Sequence, residues 1–168
     1  MTFERVVHNL FTSNGLTLAG AESCTGGLVS ARITNVPGSS SYFKGSVIAY
    51  SNSAKVSLLE VPASVIMRSG AVNPITAKKM ALGARKVFGS DVAFSLTGIA
   101  GPGGASAAKP VGLAFIAVAT RRGERVKRVI FKGSRAVLKR LFAEAAFKFL
   151  VETVSGEYGN TKTKKRCR

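Results

Sequence analysis

The feature that most constrains the fold of this chain is the alternation of short apolar runs with longer segments of helical spacing. Three short runs have the length of buried strands, and segments whose apolar residues recur at helical intervals separate them. Two further runs flank a polar turn and predict a hairpin. The predicted strands cover residues 16–23, 45–50, 91–97, 112–120 and 125–131, and the predicted closing helix covers 136–154. This succession predicts an α/β fold whose mixed sheet carries helices on both faces.

The length and composition suit a single domain. The chain has 168 residues, of which 46% are hydrophobic, and we expect a domain at residues 1–156 followed by a basic, disordered tail at 157–168. No segment reaches the roughly 18 uninterrupted apolar residues of a membrane span, and the N-terminus has no long apolar run. We therefore expect a cytoplasmic protein with no membrane partner. Homo-oligomer formation is left open.

Cysteine and histidine are scarce. The thiols are Cys24, inside a polar motif, and Cys167, in the charged tail, while His8 is the single imidazole. This spacing predicts no stabilising disulfide and favours a reducing compartment. Since a structural zinc site needs four ligands of these types, we expect no metal.

The chain is strongly basic. Its 25 Lys and Arg residues against 8 Asp and Glu give a formal net charge of +17. Nine of the basic residues fall in residues 121–140 and five in 162–168. This pattern is typical either of a surface that binds nucleic acid or another polyanion, or of a solvated face with a basic tail. The lack of interleaved aromatic residues favours the second interpretation.

Three polar clusters lie at predicted strand ends or in glycine-rich loops. They are Ser23 with Thr25, Gly26 and Gly27; the run YSNSAK at residues 50–55; and Thr97 with the glycine-rich loop at 98–110. Open α/β sheets place ligands at the carboxyl ends of their strands. If the three strands are neighbours, these clusters converge at one edge of the sheet. The loops match neither the phosphate-binding loop nor the dinucleotide pattern, and tight turns without a ligand are their alternative interpretation.

Ser23 is a candidate nucleophile, but the usual serine–histidine pair is disfavoured because His8 lies on the first predicted helix. A lysine of lowered pKa can replace the histidine, and Lys55 is the candidate, with Tyr50 relaying or orienting the proton. Spacing alone favours a solvated Lys55 and a half-buried Tyr50. Cys24 is a competing nucleophile. Adjacent strand residues point to opposite faces, so Ser23 and Cys24 cannot both address one pocket, and Cys24 suits a buried packing position.

Taken in order, the motifs resemble those of the CinA C-terminal domain family. The resemblance covers about residues 3–154 and rests on AESCTGG at 21–27, PGSS at 37–40, YSNSAK at 50–55, GAV at 70–72, TGIAGP at 97–102 and KPVG at 109–112. An ordered set of motifs is far more specific than any one of them. Characterised members of this family are nicotinamide-nucleotide amidohydrolases, also called nicotinamide mononucleotide deamidases.

The resemblance implies a three-layer α/β/α sandwich that hydrolyses nicotinamide mononucleotide to nicotinic acid mononucleotide and ammonia, without a cofactor. Ser23 would be the nucleophile, Lys55 its base, and Tyr50 an aid to proton transfer. Backbone N–H groups near Thr25, Gly26 and Gly27 would hold the oxyanion or the substrate phosphate. The remaining implied substrate contacts are Thr97, Gly101, Gly103 and Arg140, with Lys139 as the alternative to Arg140.

The chain departs from the family pattern at two places. Its glycine-rich loop carries no acidic residue, and Asn73 stands where a serine is usual. These departures concern the fine-tuning of substrate recognition. Two other hypotheses remain at this stage: an inactive or weakly active basic protein that binds nucleic acid through its charged surface and tail, and an amidase that acts on another small amide.

Overall fold

A computed structural model describes residues 2–158 of the chain. These residues contain a five-stranded sheet with the strand order β2-β1-β3-β4-β5. The strands are β1 (Leu18–Glu22), β2 (Phe43–Ile48), β3 (Val92–Gly98), β4 (Leu113–Thr120) and β5 (Gly123–Ile130). β1 runs parallel to both β2 and β3, whereas β4 is antiparallel to β3 and to β5. The prediction of a mixed sheet is confirmed.

Helices cover both faces of this sheet. They are α1 (Phe3–Asn14), α2 (Leu28–Thr34), α3 (Asn52–Leu59), α4 (Ala63–Ser69), α5 (Pro74–Phe88) and α6 (Arg135–Tyr158), with a short 3₁₀ helix at Ser39–Ser41. One apolar cluster joins α1, α2 and α6 to the sheet, and two others join α3, α4 and α5 to its opposite face. The predicted three-layer α/β/α sandwich is therefore confirmed.

Side chains of β1 alternate between the two helical layers, and this alternation sets the direction of the residues that follow. Leu18 packs with α1, α2 and α6, whereas Ala19 and Ala21 pack with α3, α4 and α5. All five residues of β1 are buried because both faces are covered. The alternation continues beyond the strand, since Cys24 joins the first cluster and Ser23 faces α3.

Element boundaries differ from the predicted ones where turns intervene. The helix predicted from Thr25 begins only at Leu28, because Gly26 and Gly27 take positive φ angles of 63° and 92° in a turn. The hairpin loop is shorter than predicted, since Gly123 already pairs with Thr120. α6 continues to Tyr158 and so includes two residues predicted as tail. The remaining tail residues, and Cys167 with them, lie outside the described part of the chain.

Between residues 2 and 158, no helix is both long enough and apolar enough to cross a bilayer.

Candidate active site

The three polar clusters converge at the carboxyl ends of the parallel strands. They line a cavity of about 220 Å³ next to the ends of β2, β1 and β3. Its lining consists of Ser23, Cys24, Tyr50, Asn52, Lys55, Ala71, Val72, Thr97, Gly98, Ala100 and Arg135. The prediction that these clusters meet at one edge of the sheet is confirmed. A larger groove, of about 530 Å³, lies near Arg85, Lys86 and Arg121 at the amino end of β3 and contains none of the clusters.

Ser23 and Lys55 meet inside this cavity. Lys55 Nζ lies 3.1 Å from Ser23 Oγ, and both side chains are buried, with 1% of Lys55 and 8% of Ser23 exposed. α3 brings the lysine there because its first turn begins directly after β2, capped by the Ser51 hydroxyl, which accepts from the Ala54 N–H at 3.0 Å. The alternative of a solvated Lys55, which spacing alone favoured, is wrong.

The surroundings of Lys55 allow its amine to act as a base. Burial lowers the pKa of Lys55, since an ammonium ion loses hydration in the interior, although a charge on Cys24 would raise it. The Nζ donates to the carbonyls of Ala49, Tyr50 and Ser51 at 2.9, 3.3 and 3.4 Å. A neutral amine has two N–H donors and one lone pair. A protonated Nζ donates to Ser23 Oγ as well as to these carbonyls, whereas a neutral Nζ can keep two of the carbonyl contacts and turn its lone pair to the Ser23 hydroxyl.

Cys24 lines the same cavity but is a poor nucleophile. Burial raises the pKa of its thiol to about 12, with a smaller contribution in the same direction from the Glu22 carboxylate. The thiol is therefore neutral near pH 7, and it packs in the cluster formed with α1, α2 and α6. A neutral thiol carries no negative charge, so Cys24 does not raise the pKa of Lys55 near pH 7.

Tyr50 and Arg135 form the mouth of the cavity. The Tyr50 side chain is 59% exposed, and its hydroxyl lies 2.6 Å from Arg135 Nη2. Arg135 Nη1 donates to the Gly101 carbonyl at 2.8 Å. The arginine thus ties the glycine-rich loop to the segment that follows β2. Among the described residues, Arg135 is the hydrogen-bond partner of the Tyr50 hydroxyl, so a direct proton relay from Tyr50 to Ser23 is absent from this arrangement.

The glycine turn after Ser23 differs from its predicted role as an oxyanion site. The Gly26 N–H donates to the Ser23 carbonyl at 3.0 Å, and the Gly27 N–H donates to the Glu22 carboxylate at 3.1 Å. The Thr25 side chain is fully buried, and its hydroxyl also donates to Glu22. The expectation that the Gly26 and Gly27 N–H groups are free to receive an anion is therefore wrong for this conformation.

The other residues named from the sequence fall at different distances from the cavity. Thr97 lines it and donates to the Ala71 carbonyl at 2.9 Å, which fixes the opposite wall. Gly101 contributes only its carbonyl, which accepts a hydrogen bond from Arg135. Gly103 and Arg140 are exposed and do not line the cavity. Lys139 rather than Arg140 lies near the glycine turn, since its Nζ is 3.6 Å from where a Cβ on Gly26 would be.

Neither Arg135 nor the capping role of Asn73 was predicted from the sequence. The only sequence signal for Arg135 was its place at the start of a helix that follows a glycine, among many other basic residues. Asn73 caps α5, with its Oδ1 accepting from the Thr76 N–H at 2.8 Å and its Nδ2 donating to Thr76 Oγ1 at 2.8 Å. An asparagine is therefore a sound replacement for the usual serine at this position.

The chain is similar in sequence to proteins of one family. The family model of the CinA C-terminal domain matches residues 1–154. A CinA-like protein of Geotalea uraniireducens is 48% identical over 149 residues, which cover 89% of this chain and 36% of that protein. A putative competence-damage inducible protein of Moorella thermoacetica is also 48% identical, over 138 residues covering 82% of this chain and 33% of that protein. The chain thus spans about a third of the length of these relatives.

Solved structures with the same fold cover nearly the whole described chain. The competence damage-inducible protein A of Klebsiella pneumoniae superposes with a TM-score of 0.88 at 27% identity, covering 91% of this chain and 95% of that one. The competence/damage inducible protein CihA of Agrobacterium tumefaciens gives a TM-score of 0.84 at 36% identity, covering 89% and 92%. With the family model matching most of its length, the chain belongs to the CinA C-terminal domain family.

Proposed function

We propose that this protein is a C–N hydrolase that deamidates nicotinamide mononucleotide, with Ser23 as nucleophile and Lys55 as base. The observation that carries the proposal is the 3.1 Å contact between Ser23 Oγ and Lys55 Nζ inside a cavity. Lowering of the Lys55 pKa by burial favours the neutral amine that the chemistry needs. The choice of a pyridine nucleotide rests on the motif resemblance, and the site chemistry is compatible with it.

The reaction would proceed through an ester of Ser23. Neutral Lys55 takes the hydroxyl proton as Ser23 Oγ attacks the carboxamide carbon, which forms a C–O bond and a tetrahedral intermediate. The C–N bond then breaks, the Lys55 ammonium returns the proton to the leaving nitrogen, and ammonia departs. Lys55 next deprotonates a water molecule, which attacks the ester carbon. The C–O bond to Ser23 then breaks, the Lys55 ammonium returns the proton to Ser23 Oγ, and the carboxylic acid formed ionises to the carboxylate on release.

The substrate would lie with its amide inward and its phosphate at the mouth. A cavity of about 220 Å³ takes a small aromatic amide, while Arg135 and Lys139 offer cations one helical turn apart on α6. A guanidinium and an ammonium at this spacing suit a phosphate.

Ammonia release tests this proposal. Wild-type protein incubated with nicotinamide mononucleotide should release ammonia and nicotinic acid mononucleotide in equal amounts, and Ser23→Ala should lower kcat on the order of 10³-fold or more. Ser57→Ala, on the exposed face of α3, is the matched control and should keep wild-type activity. Release of no ammonia by the wild type, or full activity in Ser23→Ala, would refute the mechanism.

The substrate class can be tested in the same assay. A site that holds a phosphate at its mouth should prefer the nucleotide over free nicotinamide, through a lower KM. Equal kcat/KM for both compounds would support the alternative of an amidase for other small amides.

A further inference from the structure

Glu22, the last residue of β1, is a fully buried carboxylate with an unusual set of partners. Its Oε2 accepts from Thr25 Oγ1 at 2.7 Å and from the N–H groups of Gly27 and Val29, both at 3.1 Å. Its Oε1 accepts from the N–H and the hydroxyl of Ser30 at 2.8 and 2.6 Å. None of the ion pairs among the described residues includes Glu22. Five donors therefore stabilise this charge without a cation.

The partners of Glu22 require an acceptor at both of its carboxyl oxygens. Three of the five contacts come from backbone N–H groups, which can only donate, and they reach both oxygens. A glutamine has the same shape but would point an NH₂ group at two or more of these donors. The first N–H groups of α2 also lie there, and the positive end of a helix favours a negative charge.

These contacts close the turn that carries Ser23. Glu22 precedes the nucleophile, and its partners Thr25 and Gly27 follow it, so the carboxylate bridges the two ends of the turn. The Ser23 backbone is fixed in addition by its N–H, which donates to the Leu96 carbonyl at 3.1 Å. The direction of the Ser23 hydroxyl toward Lys55 thus depends on how the Glu22 carboxylate holds this turn.

We propose that Glu22 is a positioning residue, whose buried carboxylate holds the turn at residues 23–27 so that Ser23 Oγ meets Lys55 Nζ. This inference rests on the proposed role of Ser23. It gives the acid of the AESCTGG motif a task distinct from proton transfer, since the carboxylate faces the α2 layer while Lys55 lies on the α3 side. The same charge helps to keep the adjacent Cys24 thiol neutral.

Labelling of Ser23 with a fluorophosphonate, together with turnover, tests the positioning role. Glu22→Gln should lower the labelling rate and kcat by at least tenfold, with KM within about threefold of wild type, while circular dichroism shows the variant folded at the assay temperature. Lys55→Met should also lose labelling. A folded Glu22→Gln variant that labels and turns over within threefold of wild type would overturn the proposal.

Two single-donor variants keep the test decisive if Glu22→Gln does not fold. Thr25→Val removes a donor inside the turn, and Ser30→Ala removes one beyond it, on α2. Positioning predicts at least a fivefold slower labelling rate for Thr25→Val and less than a twofold change for Ser30→Ala. If both variants label more slowly to the same degree, and the loss of rate matches the fraction of each variant that is unfolded, Glu22 contributes only to stability.

The labelling readout also separates this inference from the proposed function. Slow labelling in Glu22→Gln with fast labelling in the wild type supports positioning whether or not nicotinamide mononucleotide is hydrolysed. If the wild type hydrolyses nicotinamide mononucleotide and Glu22→Gln does so equally fast, the positioning role is refuted and the proposed function stands.

Discussion

At the scale of single residues, Lys55 combines a structural cost with a chemical use. An ammonium ion buried to this degree is disfavoured, and the three carbonyls that surround it offset only part of the lost hydration. The same burial lowers the pKa of Lys55 and so raises the share of neutral amine near pH 7. The environment that makes the residue costly to fold therefore makes it useful as a base.

The pH dependence of turnover follows from this lowered pKa. Only the neutral amine accepts the Ser23 proton, so kcat/KM should rise with pH along an acidic limb whose midpoint lies below the ordinary lysine value of about 10.4. Below that midpoint the protonated lysine is inactive. Initial rates measured from pH 5 to 10 in buffers of constant ionic strength give the profile.

Two variants provide the controls for this profile. Lys55→Arg stays protonated throughout the range and should be inactive at every pH, while Lys55→Met should lose the limb together with the activity. An unchanged limb in either variant would mean that another group titrates.

Ser23 and Lys55 became candidates because the first follows a predicted strand and the second lies in the first turn of a predicted helix. The ordered family motifs, and not these local signals, favoured them over a solvated lysine. Arg135 could not be proposed in the same way. Its importance comes from contacts with Tyr50 and Gly101, 85 and 34 positions away in the chain, and no local pattern encodes such contacts. The role of Glu22 could not be predicted either, because the burial of an acidic side chain depends on the hydrogen-bond donors that the fold brings to it.

At the scale of elements, helix ends and strand ends determine the shape of the cavity. α5 begins directly after the wall formed by Ala71 and Val72, so its cap also holds that wall. Asn73 makes this connection by donating to the Gly70 carbonyl while its Oδ1 caps the helix. The strands and most helices were predictable from periodicity, whereas the start of α2 was not, because a turn of two glycines delays it.

Substitution of the α5 cap should therefore lower stability. Asn73→Ala removes the cap and leaves the Thr76 N–H without its partner, and we expect a loss of roughly 1 to 2 kcal/mol in the free energy of unfolding. Asn73→Ser, which restores a capping oxygen and the residue usual in the family, should lose less than half as much. Urea denaturation followed by circular dichroism measures both. Equal losses would show that the amide contact with Gly70, and not the cap, carries the effect.

At the scale of the whole molecule, the positive charge is spread over the domain and is not confined to the tail. Residues 2–158 hold 20 of the 25 basic residues and all 8 acidic ones. Five of these acids form surface ion pairs and Glu22 is buried, so few of the cations are neutralised. Arg125, Lys127 and Arg128 lie on the edge strand β5, where charge discourages pairing with another sheet.

This distribution favours a solvated basic surface over a dedicated nucleic-acid site. A groove that tracks a nucleic-acid backbone normally adds aromatic side chains on which bases stack. The exposed strand β5 has the sequence GERVKRVI and carries none. Dispersed cations still attract any polyanion at low salt, so weak and salt-sensitive binding to nucleic acid is expected of such a surface.

Mobility shifts of a DNA duplex across a salt series distinguish the two interpretations. We expect retardation at low salt that disappears by about 0.2 M salt and shows no sequence preference, because it reflects only counterion release. Deletion of residues 159–168 should weaken it, since that segment supplies five cations, and Arg125→Gln with Arg128→Gln should weaken it further. The double substitution on β5 should not alter kcat, since β3 and β4 separate this strand from β1, which leads into Ser23. Retardation that persists at 0.2 M salt and prefers one sequence would instead establish the basic surface as a second functional site.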